Sequence, residues 1–172
     1  MNPQMDGGPS MRQRLEIWGV LDEVKDPEVP ALSVVELGIV RDVGVEHGTV
    51  TVVITPTYSG CPAMQAIEDD IRAALGAKGF ANVQIKTVYA PAWTTDWMTD
   101  AAKEKLRAYG IAPPGRAEHD APVTIARKLP RVSCPFCGSL NTRHTSEFGS
   151  TSCKALHVCN DCTQPFEEFK AH

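Results

Sequence analysis

Apolar residues recur along this chain with two periods, and the switches between them mark out its elements. From Met11 to about Lys25, the residues Leu15, Trp18 and Leu21, with Ile17 and Val24, fall at helical spacing, and Ser10 is placed to cap that helix. Asp26-Pro27-Glu28-Val29-Pro30 ends it, because neither proline continues a helix and each drives its predecessor towards extended backbone. Ile39 to Glu46 then alternates in the manner of a strand, His47-Gly48 fits a two-residue hairpin turn, and Thr49 to Thr55 puts Val50, Val52 and Ile54 on one face. After Thr55-Pro-Thr-Tyr-Ser-Gly-Cys-Pro62 the helical period returns. Met64, Ile67, Ile71 and Leu75 form the stripe of a helix from Pro62 to about Lys78, closed by Gly79. Asn82 to Tyr89 alternates again, and a last helix from Asp96 or Thr99 to Tyr109 turns Met98, Ala102, Leu106 and Tyr109 towards a core. This order predicts an α+β fold, a small α/β sandwich with helices on one face. The helix between the second and third strands makes those two parallel.

The pattern stops near Gly110. Residues 1–10 read as a disordered tail, 11–110 as the α/β domain, 111–130 as a proline-rich linker in which Val123-Thr-Ile125 fits a short edge strand, and 131–172 as a separate small module. That module carries Cys134-Pro-Phe-Cys137 and Cys159-Asn-Asp-Cys162. Paired C-x-x-C knuckles at this separation are a zinc signature: each tight turn brings two sulfurs to one ion, and four thiolates complete a closed tetrahedral site. So short a module cannot bury much core, and one structural zinc supplies the missing folding energy. Rubredoxin-like iron takes the same ligand set. Phe166 and Phe169 are placed to cover the ribbon's core, and His144 and His157 read as ordinary ribbon residues. Cys153 is left over, either a buried small residue or an additional thiol.

Charge narrows the partners. The formal net charge is −4, and neither the α/β region nor the ribbon has the basic surplus of a phosphate-binding surface, which argues against nucleic acid. No apolar run is long enough for a membrane span, and the polar N-terminus lacks the apolar stretch of a secretory signal. A cytoplasmic location is expected, where cysteines serve as metal ligands or reactive thiols rather than as structural disulfides.

Cys61 is the sole cysteine outside the last quarter of the chain. It stands where a strand hands over to a helix N-terminus, whose unpaired N–H groups and dipole favour an anion. A depressed thiol pKa is expected there, and Gly60 permits close approach by a ligand. A buried, inert cysteine fits the same turn. No catalytic base is paired with it, since neither His47 nor His119 has a motif around it. Asp26, Glu28 and Glu36 would join it if the N-terminal loops fold over the same end of the sheet; capping is their alternative use.

Asp26-Pro-Glu-Val-Pro30, Glu36-Leu-Gly-Ile-Val40 and the 55–62 segment resemble the MIP18-type (DUF59) domain, a family associated with iron–sulfur cluster assembly. Its characteristic cysteine matches Cys61, with Asp26, Glu28, Glu36 and Thr55 as supporting positions. Downstream, Pro91-Ala-Trp-Thr-Thr-Asp-Trp-Met98, Cys134-Pro-Phe-Cys-Gly-Ser139 and Phe148-Gly-Ser-Thr-Ser-Cys-Lys-Ala-Leu156 resemble the D-subunit family of phenylacetyl-CoA epoxidase systems. The resemblance implies a non-catalytic maturation factor for that oxygenase. It would serve the iron–sulfur reductase component, Cys61 would hold iron or a cluster transiently, the ribbon would dock the client, and the protein would be a homodimer. A structural or regulatory accessory role, with Trp93 and Trp97 as interface anchors, is the competing expectation.

Overall fold

The computed structural model describes residues 11–58, 60–115 and 131–171. The tail and Ser10, the linker from residue 116 onward with His119 and the 123–125 strand, and Ser59 lie outside the described residues. The chain divides into two compact units, Met1–Trp93 and Thr94–His172.

In the first unit, α1 (Met11–Glu23) and α2 (Met64–Ala77) pack against a sheet of β1 (Val40–Glu46), β2 (Thr49–Ile54) and β3 (Asn82–Thr87), ordered β1-β2-β3. His47 and Gly48 have φ of 49° and 79°, the two left-handed residues of a tight hairpin turn, and Glu46 pairs with Thr49 across it. β2 and β3 are parallel, from Thr49 opposite Asn82 to Ile54 opposite Thr87, as the intervening helix requires. Val50, Val52 and Ile54 are buried with Ile67, Ile71 and Leu75 of α2. Gly79 (φ 91°) closes that helix, its N–H donating to Gly76 O.

The burial of α1 differs from the expected stripe. Ile17, Val20, Leu21 and Val24 are inside, whereas Leu15 remains 65 % exposed and Trp18 is half-buried. The buried set keeps the i, i+3, i+4, i+7 spacing, shifted around the helix from the stripe that the sequence suggests. The helix also ends at Glu23, two residues early. After it, the segment from Lys25 to Gly38 is closed by its own hydrogen bonds. Ser33 and Glu36 form a reciprocal capping box: the Glu36 N–H donates to Ser33 Oγ (3.0 Å), and the Ser33 N–H donates to Glu36 Oε2 (3.0 Å). Ser33 Oγ also donates to Asp22 Oδ1 at 2.6 Å, fastening the turn to α1. The Trp93 indole N–H donates to Leu37 O (2.9 Å), so the segment after β3 is tied to the same turn.

In the second unit, a single 3₁₀ turn (Thr95–Trp97) precedes α3 (Asp100–Ala108), whose N-cap Thr99 accepts from the Ala102 N–H. Ala102 and Leu106 are buried, but Tyr109 is 60 % exposed because the helix has already ended at Ala108. Ile111 and Ala112, expected in the linker, form the short strand β4, parallel to β7. The ribbon sheet is β4-β7-β6-β5, with β5 (Thr142–Ser146), β6 (Lys154–Cys159) and β7 (Pro165–Phe169) antiparallel in sequence. Its small core contains Ala112, Val132, Cys134, Cys159 and Phe166. Among the described residues no helix is long and apolar enough to cross a membrane.

The capping box makes Ser33 a sharp test of how the first unit is held. Ser33 is fully buried, and Ser33→Ala deletes a cap and the hydrogen bond to the exposed Asp22, which costs about 1–2 kcal/mol, mostly through the cap. Urea unfolding followed by the fluorescence of Trp18 and Trp93 should show an earlier transition; an unshifted midpoint would mean the box holds nothing.

Candidate functional site

β2 delivers the chain to Thr55, whose N–H donates to Ile39 O (2.9 Å). The chain then turns twice. The Cys61 N–H donates to Tyr58 O, and Cys61 O accepts from the Met64 N–H, both at 3.3 Å, while Gly60 takes a left-handed φ of 83°. α2 begins at Met64 with Ala63 as N-cap, so Pro62 is not its first residue and Cys61 stands two positions before the cap. That displacement weakens the pull of the dipole, since the field of a helix terminus fades within about one turn.

The Cys61 thiol is half-buried, and its pKa is raised rather than depressed, contrary to the sequence expectation. Desolvation by partial burial is the largest cause. The Ala63 N–H opposes it, the negative charge of Glu28 adds to it, and hydrogen bonds from the Thr57 and Tyr58 side chains oppose it again. At neutral pH the resting group is therefore a protonated thiol beside a carboxylate.

The four supporting residues have different uses. Asp26 is buried, and its Oδ1 accepts from the N–H groups of Glu28 (2.8 Å) and Val29 (2.7 Å). It shapes the loop that carries Glu28, whose charge reaches Cys61. Glu36 works in the capping box and lies 4.0 Å from Lys25 Nζ. Thr55 is buried, and its Oγ1 has no hydrogen-bond partner among the described residues. An unmet buried hydroxyl costs about 1–3 kcal/mol. Thr55 also lines a cleft of about 90 Å³ walled by Tyr58, Tyr89, Ala92 and Trp93. The aromatic share of this cleft was not legible in sequence, because it depends on how the loops after β2 and β3 fold against each other, which the parallel pairing of the strands permits but does not specify. Among the described residues Cys61 is not part of any group of three or more His, Cys, Asp or Glu donors within metal-binding reach. The site offers one sulfur, with one carboxylate near enough to be felt electrostatically.

The ribbon brings its ligands together as expected. The ligand atoms of Cys134, Cys137, Cys159 and Cys162 all lie within 4.8 Å of one another. Cys134 Sγ is 3.7 Å from Cys162 Sγ, and Cys137 Sγ is 3.6 Å from Cys159 Sγ. Tetrahedral zinc with Zn–S bonds of about 2.3 Å needs sulfurs about 3.8 Å apart, so the donor set fits the ion. Backbone geometry makes the knuckles: the Gly138 N–H donates to Cys134 O (2.9 Å) at a left-handed φ of 77°, and the Cys162 N–H points at Cys159 Sγ (3.5 Å). The latter bond lowers the Cys159 thiol to about 7. At Cys137 the Ser139 N–H pulls the thiol down, but desolvation and the neighbouring thiols outweigh it and push the group up to about 12. A bound metal would replace these protons. Cys153 stands apart from the four. It is buried, its Sγ is 3.1 Å from Thr151 Oγ1, and its carbonyl accepts from the Lys170 N–H. His157 is buried between Phe166 and His144, with Nε2 2.8 Å from Glu168 Oε2.

Comparison with known proteins agrees with both halves of this description. A family model described as "Iron-sulfur cluster assembly protein" matches residues 14–87, and one described as "PaaD zinc beta ribbon domain" matches residues 118–170. A solved DUF59 domain from Bacillus anthracis superposes with a TM-score of 0.51 at 27 % identity, covering 54 % of this chain and 90 % of that one. The fold and site thus define an iron–sulfur-assembly-type α/β domain joined to a zinc β ribbon. An "Fe-S protein maturation auxiliary factor" of Porphyromonas gingivalis is 37 % identical over 93 residues, 53 % of this chain and 88 % of its own length. An Escherichia coli K12 protein provisionally designated the D component of 1,2-phenylacetyl-CoA epoxidase is 47 % identical over 156 residues, 90 % of this chain and 91 % of its own length. The chain belongs to this PaaD-type family.

The raised Cys61 pKa has a sign that can be read directly. Glu28→Gln removes a charge that holds the thiol up, so iodoacetamide should alkylate Cys61 faster in that variant at pH 8. In the unaltered protein the rate should still be climbing at pH 9, the ordinary thiol value. A plateau below pH 8 would mean that the helix dipole depresses the pKa after all.

Proposed function

We propose that this protein is a maturation factor for a phenylacetyl-CoA epoxidase system, supplying iron or an iron–sulfur cluster to its iron–sulfur reductase component. The observation that carries this reading is the union, in one chain, of an iron–sulfur assembly domain and a PaaD-type ribbon, with 47 % identity to an epoxidase D component across 90 % of the chain. Cys61 is the transient ligand, shared in a homodimer with the Cys61 of a second copy. The cargo's bond to sulfur forms as the thiol proton leaves, and one or two thiolates leave its coordination incomplete, which permits hand-over. Glu28, whose charge is felt at Cys61, balances the cargo's charge in this reading. Asp26, Glu36 and Thr55 support the turn. The ribbon holds one structural zinc per chain and docks the client, and the protein works in the cytoplasm without catalysing a reaction of its own.

A purely structural or regulatory role is less well supported. Of its two proposed anchors, Trp93 is 6 % exposed and spends its indole N–H on Leu37 O, which leaves little ring for a partner, while Trp97 is half-buried.

Cys61→Ala separates the two. The variant should fold, keep about one zinc per chain on elemental analysis, and lose the iron carried by anaerobically purified wild type. Cells relying on it should yield a cluster-poor reductase. Full cluster occupancy with Cys61→Ala would remove the cysteine from the mechanism, and loss of binding in Trp93→Ala with Cys61 dispensable would favour the structural role.

A further inference from the structure

The two knuckles of the ribbon are joined by a set of side-chain contacts that none of the four metal ligands provides. Asp161, between Cys159 and Cys162, accepts from Ser139 Oγ at its Oδ2 (2.5 Å) and from Asn141 Nδ2 at its Oδ1 (2.7 Å). Asn160 Nδ2 donates to Asn141 Oδ1 (3.0 Å), the Asn160 N–H donates to Asn141 O (2.8 Å), and the Asn141 N–H donates to Ser139 Oγ (3.0 Å). Ser139 belongs to the first knuckle itself, because its carbonyl accepts from the Cys134 N–H (2.9 Å). The second knuckle is thus bound to the first through Asp161, across about twenty residues of intervening hairpin.

We propose that Asp161 is a positioning residue of the ribbon's metal centre: its carboxylate latches one knuckle to the other and sets how slowly the centre gives up its metal. Each knuckle contributes two sulfurs, and the 3.6 and 3.7 Å sulfur–sulfur separations both run from one knuckle to the other. Metal release from a closed four-sulfur site requires the knuckles to part. Beside them, the halves are held by the β5–β6 ladder, which begins at Thr142 opposite Cys159, and by a small core. The side chain is suited to the latch because its two oxygens accept two hydrogen bonds at once, from two residues of the same turn. The latch concerns geometry and not charge, since a further negative charge beside four thiolates does nothing to draw them together.

The test uses the full chain reconstituted with zinc and challenged with excess EDTA, following zinc release by a chromophoric chelator. Asp161→Ala should release zinc roughly tenfold faster, the low end of what second-sphere changes cost in metal affinity. In Asp161→Asn the amide oxygen can still accept from Asn141 and its nitrogen can donate to Ser139 Oγ, so release should stay within about twofold of wild type by the same reasoning. Ser139→Ala, which leaves the Asn141 bond to Asp161 in place, should speed release less than Asp161→Ala does, and the double variant should release more slowly than the product of the two single effects requires, the non-additivity of a shared contact. Cobalt(II) in place of zinc gives a direct reading of tetrahedral geometry: its d–d bands should shift in Asp161→Ala and be restored in Asp161→Asn. Wild-type release from Asp161→Ala would overturn the latch. So would release from Asp161→Asn as fast as from Asp161→Ala, because charge would then be the property that matters.

Discussion

The parallel pairing of β2 with β3 is the constraint on which the first unit's site depends. It aligns Ile54 with Thr87, so the two chains leave the sheet side by side and in the same direction. The loop after β2 has to reach α2, and the loop after β3 has to find another course. The Val88 N–H donating to Ile54 O extends the pairing one step further, and from there Tyr89 and Trp93 come to face Thr55 and Tyr58 across the cleft. The Trp93 hydrogen bond to Leu37 then closes the Ser33–Gly38 turn over the same end. An antiparallel β3 would send the aromatic segment to the opposite end of the sheet and leave the cleft at Thr55 and Tyr58 without its Tyr89 and Trp93 wall.

The second unit solves a different problem with different physics. Its apolar core has few members, and two of them, Cys134 and Cys159, belong to the four-sulfur cluster that could hold a metal ion. Core and metal centre are therefore one object, and each is incomplete without the other. The remaining stabilisation is polar. Lys154, buried in the sheet, lies 3.2 Å from Glu167 Oε2, while Glu167 Oε1 receives the Ser150 N–H and occupies the space that a side chain at Gly149 would need. Buried ion pairs of this kind contribute less to stability than to fixing one arrangement among several, which is what a sheet with little core requires.

Much of this could be read from the residues. The knuckle spacing located the four sulfurs, because a metal site repeats a local turn and leaves its mark in sequence. The period-2 and period-3.6 runs gave the strands and helices, because burial on one face constrains every second or every third and fourth residue. Three features were not legible, each for a reason of scale. The buried face of α1 depends on where the sheet lies, so Leu15 read as core and is exposed. The start of α2 depends on a turn that uses up Pro62 and Ala63, and those two residues set Cys61 back from the helix terminus, where the dipole's pull is weaker. Ile111 and Ala112 looked like linker because a two-residue strand has no period; only its partner β7 defines it. Asp26 and Glu36 read as candidate companions of Cys61, and their carboxylates accept backbone N–H groups of their own loop, which is the capping use that the sequence offered as the alternative.

The correction at Cys61 bears on the chemistry proposed for it. A depressed pKa would favour a standing thiolate, and a standing thiolate would bind a soft metal with little competition from protons. A raised pKa makes every binding event displace a proton, so net affinity at neutral pH is reduced by the cost of that displacement. For an enzyme nucleophile this would be a handicap. For a ligand that must both take up and release its cargo it is an advantage, because the proton re-enters as the metal leaves. On the proposed reading the ribbon stands at the other limit, with four sulfurs available to close one coordination sphere and two knuckles latched together. A protein that passes iron through a thiol at one site has reason to keep its own structural metal out of exchange at the other. The two sites differ in the quantity that controls exchange most directly, the number of sulfurs that must let go together.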